Sequence, residues 1–518
     1  MDDQQYDVIV IGAGHNGLVC AAYLQKAGYR TLVLERRSVV GGAVCTEEIW
    51  PGYKVDIGSS VHIMIHRTPI VADLELERFG LEYIEMDPWA AMPLGGGRFL
   101  TFYRDLDRTC ESIAQISERD ARAYRDFITR WSPVAKGVFK AFQEPPTMSS
   151  FGRHVILAKG PGRDTMDTLR MILSGYGRLI RETFESTELR AALGWLAAQS
   201  GPPPTEVGSA PFAGWHAALH ETGAKRARGG SGMLTVALRA AFEASGGVII
   251  TDAPVDKIVV EQGRVTGVAA GGNRYAGKAV VAACHVMTTF RSLLAPEDVP
   301  GDLLQRLGAL NVGNGFGMTV RCATTELPDY GSGQPHEAHN GMQLLCPTPQ
   351  FLLDAYGDYA AGRPSTNPPA LAMTFTAIDK TLAPMGKHIV QLWSQYFPYD
   401  RRDGRHWDDC REEAADSICE TLYHYAPNMR NAIEQRFIQT PLDLERTLGL
   451  IRGNVMHLEM SLDQMFAFRP LPELAEYKTP IEGLFLTGAS THPGGGVFGA
   501  SGLSAANVVK KALKKRKR

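Results

Sequence analysis

Residues 8–17 read Val-Ile-Val-Ile-Gly-Ala-Gly-His-Asn-Gly, and this segment constrains the fold more than any other part of the chain. An apolar strand followed by G-x-G-x-x-G at the start of a helix is typical of a dinucleotide-binding βαβ unit. Gly12 permits the tight turn, Gly14 lets the backbone approach a diphosphate, and Gly17 allows close packing of helix on strand. Glu35 ends the predicted second strand at the ~20-residue spacing expected of an acid that binds ribose hydroxyls.

Two further glycine segments favour FAD over NAD as the dinucleotide. Residues 36–43, Arg-Arg-Ser-Val-Val-Gly-Gly-Ala, follow directly and can run along a long cofactor. Near the other end of the chain, residues 487–496 read Thr-Gly-Ala-Ser-Thr-His-Pro-Gly-Gly-Gly and lead into a last helix, whose N-terminus can bind the electron-rich edge of a flavin. Glycines at 313–317 lead into a strand pattern instead, which indicates a turn. The sequence therefore predicts FAD, bound from both ends of the chain.

Strand and helix patterns predict an α/β fold, with a Rossmann-like FAD-binding domain of the glutathione-reductase-like class. This domain is discontinuous and takes residues 1–75, 225–300 and 456–518. A mixed α+β substrate-binding domain takes residues 76–224, predicted to be mostly helical and membrane-facing, and residues 301–455. Strands are predicted at residues 7–11, 30–35, 247–251, 255–260, 279–283, 371–377, 388–396 and 483–488, and a helix near 408–425.

Charge and cysteine usage limit the partners. A formal net charge of -2 argues against nucleic acid. The last nine residues carry seven positive charges, which would either complement the dipole of the last helix as solvated groups or attract anionic lipid. Eight cysteines without a C-x-x-C pair suit a reducing cytosol. There is no signal peptide pattern and no apolar run of the ~20 residues that a membrane span needs. We expect a cytoplasmic protein associated peripherally with the membrane, and homo-oligomerisation is left open.

Two polar pairs have two interpretations each. His62 and His66 are four residues apart, as metal ligands on a helix would be, yet their segment alternates like a strand and no carboxylate completes a site, so no metal is predicted. Glu459 and Asp463 could act as acid and base, or could bond the backbone or Arg469.

Several of these segments together resemble the phytoene-desaturase-like flavoproteins: the fingerprint, residues 35–42, Asp56-Ile-Gly58, residues 229–235 (Gly-Gly-Ser-Gly-Met-Leu-Thr) and the C-terminal glycine block. Within that family, residues 198–204, 453–465, 469–472 and 487–496 are similar to the CrtO-type β-carotene ketolases. The resemblance runs nearly end to end. It departs from the family pattern at Leu503 and Ser504, where a basic residue followed by Asn is expected.

The resemblance implies FAD-dependent oxidation of a carotenoid, with a 4-keto group introduced on the β-ionone ring of β-carotene or a related monocyclic carotene. A carotenoid desaturase or isomerase, or an amine-oxidase-like flavoenzyme, is the alternative. An allylic C–H beside a polyene is a good hydride donor, because the resulting cation is delocalised. Motifs and resemblance together give these cofactor residues: Gly12, Gly14, His15, Asn16, Gly17, Glu35, Arg36, Gly41, Gly42, Ala43, Gly58, Ser59, Val255, Gly488, Gly495, Gly496 and Val497.

His492 is the polar side chain expected to approach the flavin as a catalytic residue, with a structural capping role as the alternative. A carotenoid also needs a long apolar tunnel. Its candidate liners, for which ordinary core packing is the alternative, are Trp215, Trp393, Phe397, Phe466, Phe468 and Phe498. A patch at residues 151–157 is a further candidate for docking on the membrane.

Overall fold

The structure, a computed structural model, describes residues 5–147, 162, 164–315, 317–333 and 335–516. Its strands are β1 (Tyr6–Ile11), β2 (Thr31–Leu34), β3 (Thr46–Trp50), β4 (Tyr53–Asp56), β5 (Tyr83–Met86), β6 (Ala90–Gly95), β7 (Arg98–Phe102), β8 (Ala224–Ala227), β9 (Val248–Ile250), β10 (Val255–Glu261), β11 (Arg264–Ala270), β12 (Asn273–Ala282), β13 (Gly317–Thr324), β14 (Met342–Leu345), β15 (Ala370–Met373), β16 (His388–Gln395), β17 (Ile433–Gln439) and β18 (Leu484–Leu486). Its α-helices span His15–Lys26, Ile70–Asp73, Leu106–Ala114, Glu118–Ala141, Thr165–Leu173, Tyr176–Thr183, Thr187–Ala198, Pro211–Gly214, Leu219–Thr222, Met233–Ala244, Val286–Arg291, Gly301–Gly308, Pro349–Ala360, Trp407–Tyr425, Met429–Ala432, Pro441–Leu448 and Ala500–Arg516.

The first sheet contains the parallel strands β9, β2, β1, β12 and β18, and β10 and β11 extend it as an antiparallel meander from β12. β1 is buried on both faces, as expected of a central parallel strand. Val8 and Val10 pack against the helices His15–Lys26 and Ala500–Arg516 on one face, whereas Ile9 faces a second core on the other. The predicted α/β class with a Rossmann-like nucleotide-binding fold is confirmed.

The second sheet runs in the order β17, β13, β16, β15, β14, β6, β7 and is antiparallel except where β14 meets β6. Residues 76–224 were expected to be mostly helical, but they contribute β6 and β7 to this sheet. Gly95, Gly96 and Gly97, all with positive φ, form the hairpin turn between these two strands. The prediction overlooked this turn signal because the helical patterns that follow it are longer.

Helices from the same insertion form a layer against the second sheet. Trp131, Tyr176 and Trp195 lie in this core, and the Trp195 indole N–H donates to the carbonyl of Ala370, the first residue of β15. Every strand of the first sheet comes from the ranges predicted for the FAD-binding domain, although the boundaries themselves stay a prediction. In the described part of the chain, no helix has the length and apolar character needed to cross a membrane. The suggested docking patch at residues 151–157 lies outside the described residues.

Candidate functional site

A cavity of about 500 Å³ lies between the two sheets. One half, here called the cofactor half, is formed by the carboxyl ends of β1, β2, β12 and β18 and the loops that follow them. The other half, here called the substrate half, is formed by the second sheet and its helical layer. Ligands of open α/β sheets bind at the carboxyl edge of the parallel strands, which is where this cavity lies.

The fingerprint turn is shaped to receive a ligand. Gly12 has a φ of +99°, which an L side chain rarely adopts. A Cβ on Gly17 would lie 2.2 Å from the Gly12 carbonyl oxygen, so the helix can pack this closely only with glycine there. A Cβ on Gly14 would point into open space, and no side chain caps the helix that begins at His15. The first-turn N–H groups and the helix dipole are therefore suited to a diphosphate.

Glu35 is held at the edge of this turn by two backbone groups. Its Oε2 accepts a hydrogen bond of 2.8 Å from the N–H of Ala13, and its Oε1 accepts one of 2.9 Å from the N–H of Arg37. A carboxylate oxygen has further lone pairs, so each can still accept a hydroxyl hydrogen of a ribose. The carboxylate is thus fixed in position before any ligand binds.

The two ends of the chain meet at His15 and Asn16. The His15 ring bonds the backbone of Gly496, and burial lowers the pKa of His15 to about 4, so the ring is neutral at pH 7. The Asn16 side chain lies 3.0 Å from His15 Nε2, and its Oδ1 accepts from the N–H of Gly502 at 3.4 Å. These contacts hold the C-terminal glycine block against the fingerprint.

All predicted cofactor residues except Gly41 line the cavity. Gly41 instead donates its N–H to the Ala13 carbonyl at 2.8 Å, and a Cβ there would lie 2.3 Å from the Val44 carbonyl oxygen. Gly41 therefore shapes the loop that follows the second strand and does not face the cavity. The cofactor residues chosen from the sequence thus lie together around one cavity.

The substrate half has mostly apolar walls. Its side chains include Trp89, Leu196, Trp215, Leu219, Met342, Leu371, Met373 and Trp393. Thr319, Arg321 and Gln391 are the polar groups that the second sheet adds. An apolar pocket with few polar groups is typical of a site that binds a greasy small molecule.

Comparison with known proteins assigns the family. Residues 17–510 match the model of the flavin-containing amine oxidoreductases. The chain belongs to this family. It is 32% identical to pyridine nucleotide-disulfide oxidoreductase domain-containing protein 2 of Rattus norvegicus, covering 98% of this chain and 94% of the relative. It is 27% identical to a component of the limonene dehydrogenase of Castellaniella defragrans (98% and 94%) and 26% identical to a lycopene-forming phytoene desaturase of Pseudescherichia vulneris (95% and 96%).

Solved structures support the same fold. An oxidoreductase from Methanosarcina mazei superposes with a TM-score of 0.63 at 17% identity, covering 98% of this chain and 100% of that one. A putrescine oxidase variant superposes with a TM-score of 0.63 at 15% identity, covering 99% of each chain. FAD is the cofactor of this flavin-containing oxidoreductase, and the diphosphate-binding turn and ribose-binding carboxylate fit it. The predicted likeness to phytoene desaturases is confirmed at the level of the superfamily.

Only part of the predicted tunnel faces the cavity of this family member. Trp215 and Trp393 line it, whereas the four phenylalanines do not. Phe397 is fully buried in the core beneath the second sheet, and Phe468 is half exposed at the surface. Phe466 and Phe498 both pack against the ring of Phe142, and Phe498 lies in a small core that Trp215 borders. For these four residues the tunnel prediction is wrong, because core packing accounts for aromatic residues as well as a tunnel does.

His492 does not line the cavity either. It is buried, and its Nε2 lies 3.0 Å from the carbonyl oxygen of Ala141, the last residue of the helix Glu118–Ala141. Because a carbonyl only accepts, Nε2 carries the proton, and burial lowers the pKa of His492 to about 4. The ring therefore satisfies a helix-terminal carbonyl. The predicted approach of His492 to the flavin is corrected to this structural contact.

Arg321 is a buried cation that the sequence reasoning missed. It is 1% exposed and lines the substrate half, and its Nη2 donates to the Ile57 carbonyl at 2.7 Å. Its Nη1 donates to Thr319 Oγ1 at 2.6 Å and to Gln439. Burial lowers its pKa to about 10, so the group stays charged at neutral pH. The available signal was a charged residue in the apolar strand pattern of residues 318–322.

A chain of hydroxyl and imidazole groups leads away from the cavity. Ser59, which lines the cavity, lies 2.5 Å from Ser231 through their Oγ atoms. Ser231 Oγ lies 2.8 Å from His62 Nε2, and His62 Nδ1 lies 2.9 Å from the Tyr83 hydroxyl. Both ring nitrogens of His62 thus lie within hydrogen-bond distance of a hydroxyl group. Such a chain can pass a proton between its members.

In the described residues, no cluster of three His, Cys, Asp or Glu side chains could hold a metal ion.

Neither Glu459 nor Asp463 lines the main cavity. Glu459 Oε2 accepts a hydrogen bond of 3.1 Å from Asn311 Nδ2, and burial raises the pKa of the Glu459 carboxyl. Arg469 bonds the backbone oxygen of Glu459, not its carboxylate. The loop interpretation of this pair is the one that the contacts favour.

Proposed function

We propose that this flavoprotein oxidises a large, apolar, unsaturated molecule at an allylic carbon, and that its specific reaction is formation of a 4-keto group on a carotenoid ring. The apolar substrate half of the cavity, beside the fingerprint turn and Glu35, is the observation that carries this proposal. Two relatives are named for limonene dehydrogenation and phytoene desaturation, and both compounds are unsaturated hydrocarbons. Bound FAD supplies a two-electron acceptor for a hydride from the substrate.

The residues of the chain would perform the remaining tasks. The indoles of Trp215 and Trp393 and the aliphatic walls hold the polyene and exclude bulk water. The proton that leaves with each hydride can be relayed from Ser59 through Ser231 and His62 toward Tyr83. Because burial lowers the pKa of His62 well below its usual range, the ring relays the proton and does not hold it. Formation of the ketone needs the oxygen of one water molecule and two successive two-electron oxidations. A desaturase would need one oxidation for each double bond and no added oxygen.

An amine substrate is less well suited to this cavity. The Arg321 guanidinium lines the substrate half. Asp56 is near enough to raise the pKa of Arg321, but its ion pair is with Arg226. A protonated amine entering beside Arg321 would meet a like charge in a low-dielectric environment. A neutral hydrocarbon meets no such repulsion.

Pigment analysis of a β-carotene-producing host that expresses this chain tests the proposal. We expect 4-keto carotenoids, and a Trp215→Ala variant should make less of them because the wall of the cavity is lost. Trp50→Ala is the matched control, since Trp50 lies outside the cavity. If the host instead makes a more unsaturated or isomerised polyene without a ketone, the reaction is that of a desaturase or isomerase and not that of a ketolase. Unchanged β-carotene in a host that accumulates the FAD-loaded protein would contradict a carotenoid substrate.

We further propose that the protein is cytoplasmic and takes its substrate from an anionic membrane surface. Three exposed apolar side chains, Val207, Leu462 and Leu173, lie around Gly208. Val207 precedes Gly208, a Cβ on Gly208 would lie 3.3 Å from Leu462, and the Gly208 N–H donates to the Leu173 carbonyl. A smaller cavity opens nearby and shares Ser200 and Met456 with the main cavity. This arrangement supports entry of an apolar ligand from lipid, with the basic C-terminal residues providing attraction.

Flotation with anionic liposomes tests the membrane proposal. A chain that ends at residue 505 would lack the basic residues, but it would also lack Val509 and Leu513, which are buried in the core of the first sheet. Such a truncation is therefore unsuitable as a test. Lys511→Gln with Lys514→Gln removes exposed charge instead and should weaken flotation at low salt. Arg239→Gln with Lys257→Gln is the control for a loss of two charges elsewhere. Equal flotation of both double variants would contradict a specific part for the C-terminal residues.

A further inference from the structure

His457 has a strained backbone and a fixed ring. Its φ of +65° lies in the left-handed region, which a residue other than glycine seldom occupies. Its carbonyl accepts a hydrogen bond of 3.0 Å from His285 Nε2, and the two imidazoles stack with centroids 4.8 Å apart. Strain of this kind persists where the surroundings determine the position of a functional side chain.

The hydrogen bonds around His457 determine which ring nitrogen carries the proton. Ser490 Oγ accepts from the N–H of Val286 at 3.0 Å and lies 2.9 Å from His457 Nδ1. The hydrogen of the buried Ser490 hydroxyl has no other acceptor among the described residues, so Ser490 donates it to His457 Nδ1, and the proton of the neutral ring is on Nε2. The ring is neutral because burial, followed by the nearby His285, lowers the pKa of His457 well below its usual range.

His457 Nε2 is thus a donor without a hydrogen-bond partner in the part of the chain that the structure describes. His457 lines the cofactor half of the cavity together with His15, Gly488 and Gly495. The preceding Met456 is fixed against the C-terminal glycine block, since a Cβ on Gly495 would lie 2.2 Å from its Sδ. A donor that faces a cavity without a protein partner is available to an acceptor of the ligand that fills the cavity.

We propose that His457 Nε2–H donates a hydrogen bond to an oxygen of the ribityl–diphosphate chain of FAD. The fingerprint presents backbone N–H groups from one side of this chain of the cofactor, and His457 adds a side-chain donor from the loop after the second sheet. Ser490 acts as a positioning residue, because its hydroxyl keeps the proton of the ring on Nε2. This inference concerns FAD alone and does not depend on the proposed substrate.

Two substitutions of His457 distinguish loss of the hydrogen-bond donor from damage to the fold. His457→Asn keeps an acceptor near Nδ1 for Ser490 and loses the donor at Nε2, whereas His457→Gln places an amide near the position of Nε2. We expect the Kd of the apoprotein for FAD, measured from the quenching of FAD fluorescence, to rise about 10- to 100-fold in the Asn variant. The Gln variant should keep most of the affinity. The ³¹P resonances of bound FAD should also shift in the Asn variant.

His424→Asn is the matched control, because this exposed histidine lies outside the cavity. Ser490→Ala should weaken FAD binding by less than His457→Asn does, because the ring can then adopt either tautomer. A Kd of the Asn variant within about twofold of the wild-type value would overturn the proposal. So would equal losses in the Asn and Gln variants together with a lower Tm of both apoproteins, since that result assigns His457 a purely structural role.

Discussion

Arg469 is completely buried, yet its guanidinium bonds only backbone oxygens. It donates to the carbonyls of Met456, Leu458, Glu459, Gln464 and Ala489, at distances between 2.6 and 3.2 Å. The planar fork of five N–H groups is suited to such a set of acceptors, and a lysine ammonium is not. Arg469 therefore fixes the loop that carries His457 to the strand end that carries the C-terminal glycine block.

We predict that Arg469→Lys lowers the free energy of unfolding by about 3 kcal/mol, because several buried carbonyls lose their donor and the charge stays buried. Urea unfolding of the FAD-loaded protein measures this change. Arg170→Lys is the control, since Arg170 is about half exposed and its ion pairs with surface carboxylates contribute little to stability. If the two variants unfold at the same urea concentration, the proposed structural importance of Arg469 is contradicted.

At the scale of elements, the decisive contact is between the first helix, His15–Lys26, and the last, Ala500–Arg516. The two helices pack together on one face of the first sheet. A Cβ on Gly502 would lie 2.2 Å from the Asn16 carbonyl oxygen, so only glycine permits this approach. The same contact brings the two glycine segments to one FAD site.

We predict that Gly502→Ala separates the two helices, lowers the free energy of unfolding by about 1–3 kcal/mol and weakens FAD binding. Gly357→Ala is the matched control, because this glycine lies within the helix Pro349–Ala360 and has no atom within 4 Å of its Cβ position. There, alanine should stabilise the helix by about 0.5–1 kcal/mol. Thermal unfolding and FAD titration measure both variants, and a tight-binding, fully stable Gly502→Ala protein would refute the argument.

At the scale of the whole molecule, the buried histidines make stability depend on pH. Burial lowers the pKa to about 4 for His15, His66, His216, His285 and His492. In the unfolded chain these groups titrate near 6.5, so between about pH 6.5 and 4 the unfolded state binds more protons. Stability must therefore fall as the pH falls through this window.

We predict a loss of about 1.4 kcal/mol per pH unit for each such histidine within the window. Urea unfolding at pH 7, 6 and 5 measures the total slope. In His492→Gln, which keeps a donor for the Ala141 carbonyl, the slope should decrease by the contribution of one proton. If the slope of His492→Gln equals that of the wild type, His492 is not buried in its neutral form.

The sequence by itself determined the nucleotide-binding half of this protein. The G-x-G-x-x-G turn and the C-terminal glycine block act through backbone groups of contiguous residues, and the Glu35 carboxylate stands at a fixed spacing from the turn in the same βαβ unit, so the order along the chain already specifies their geometry. The fold class follows from the same local patterns. The FAD prediction needed only the further step that both glycine segments serve one site.

Only the tertiary structure decided which side chains face the ligand. Phe397 and Trp393 are four residues apart and equally aromatic, yet one lies in a core and the other lines the cavity. Arg321 and His457 reach the cavity from segments more than a hundred residues apart, through the pairing of β13 in the second sheet and the Arg469 contacts. Sheet pairing and loop packing between distant segments set these directions, and no local sequence pattern encodes them.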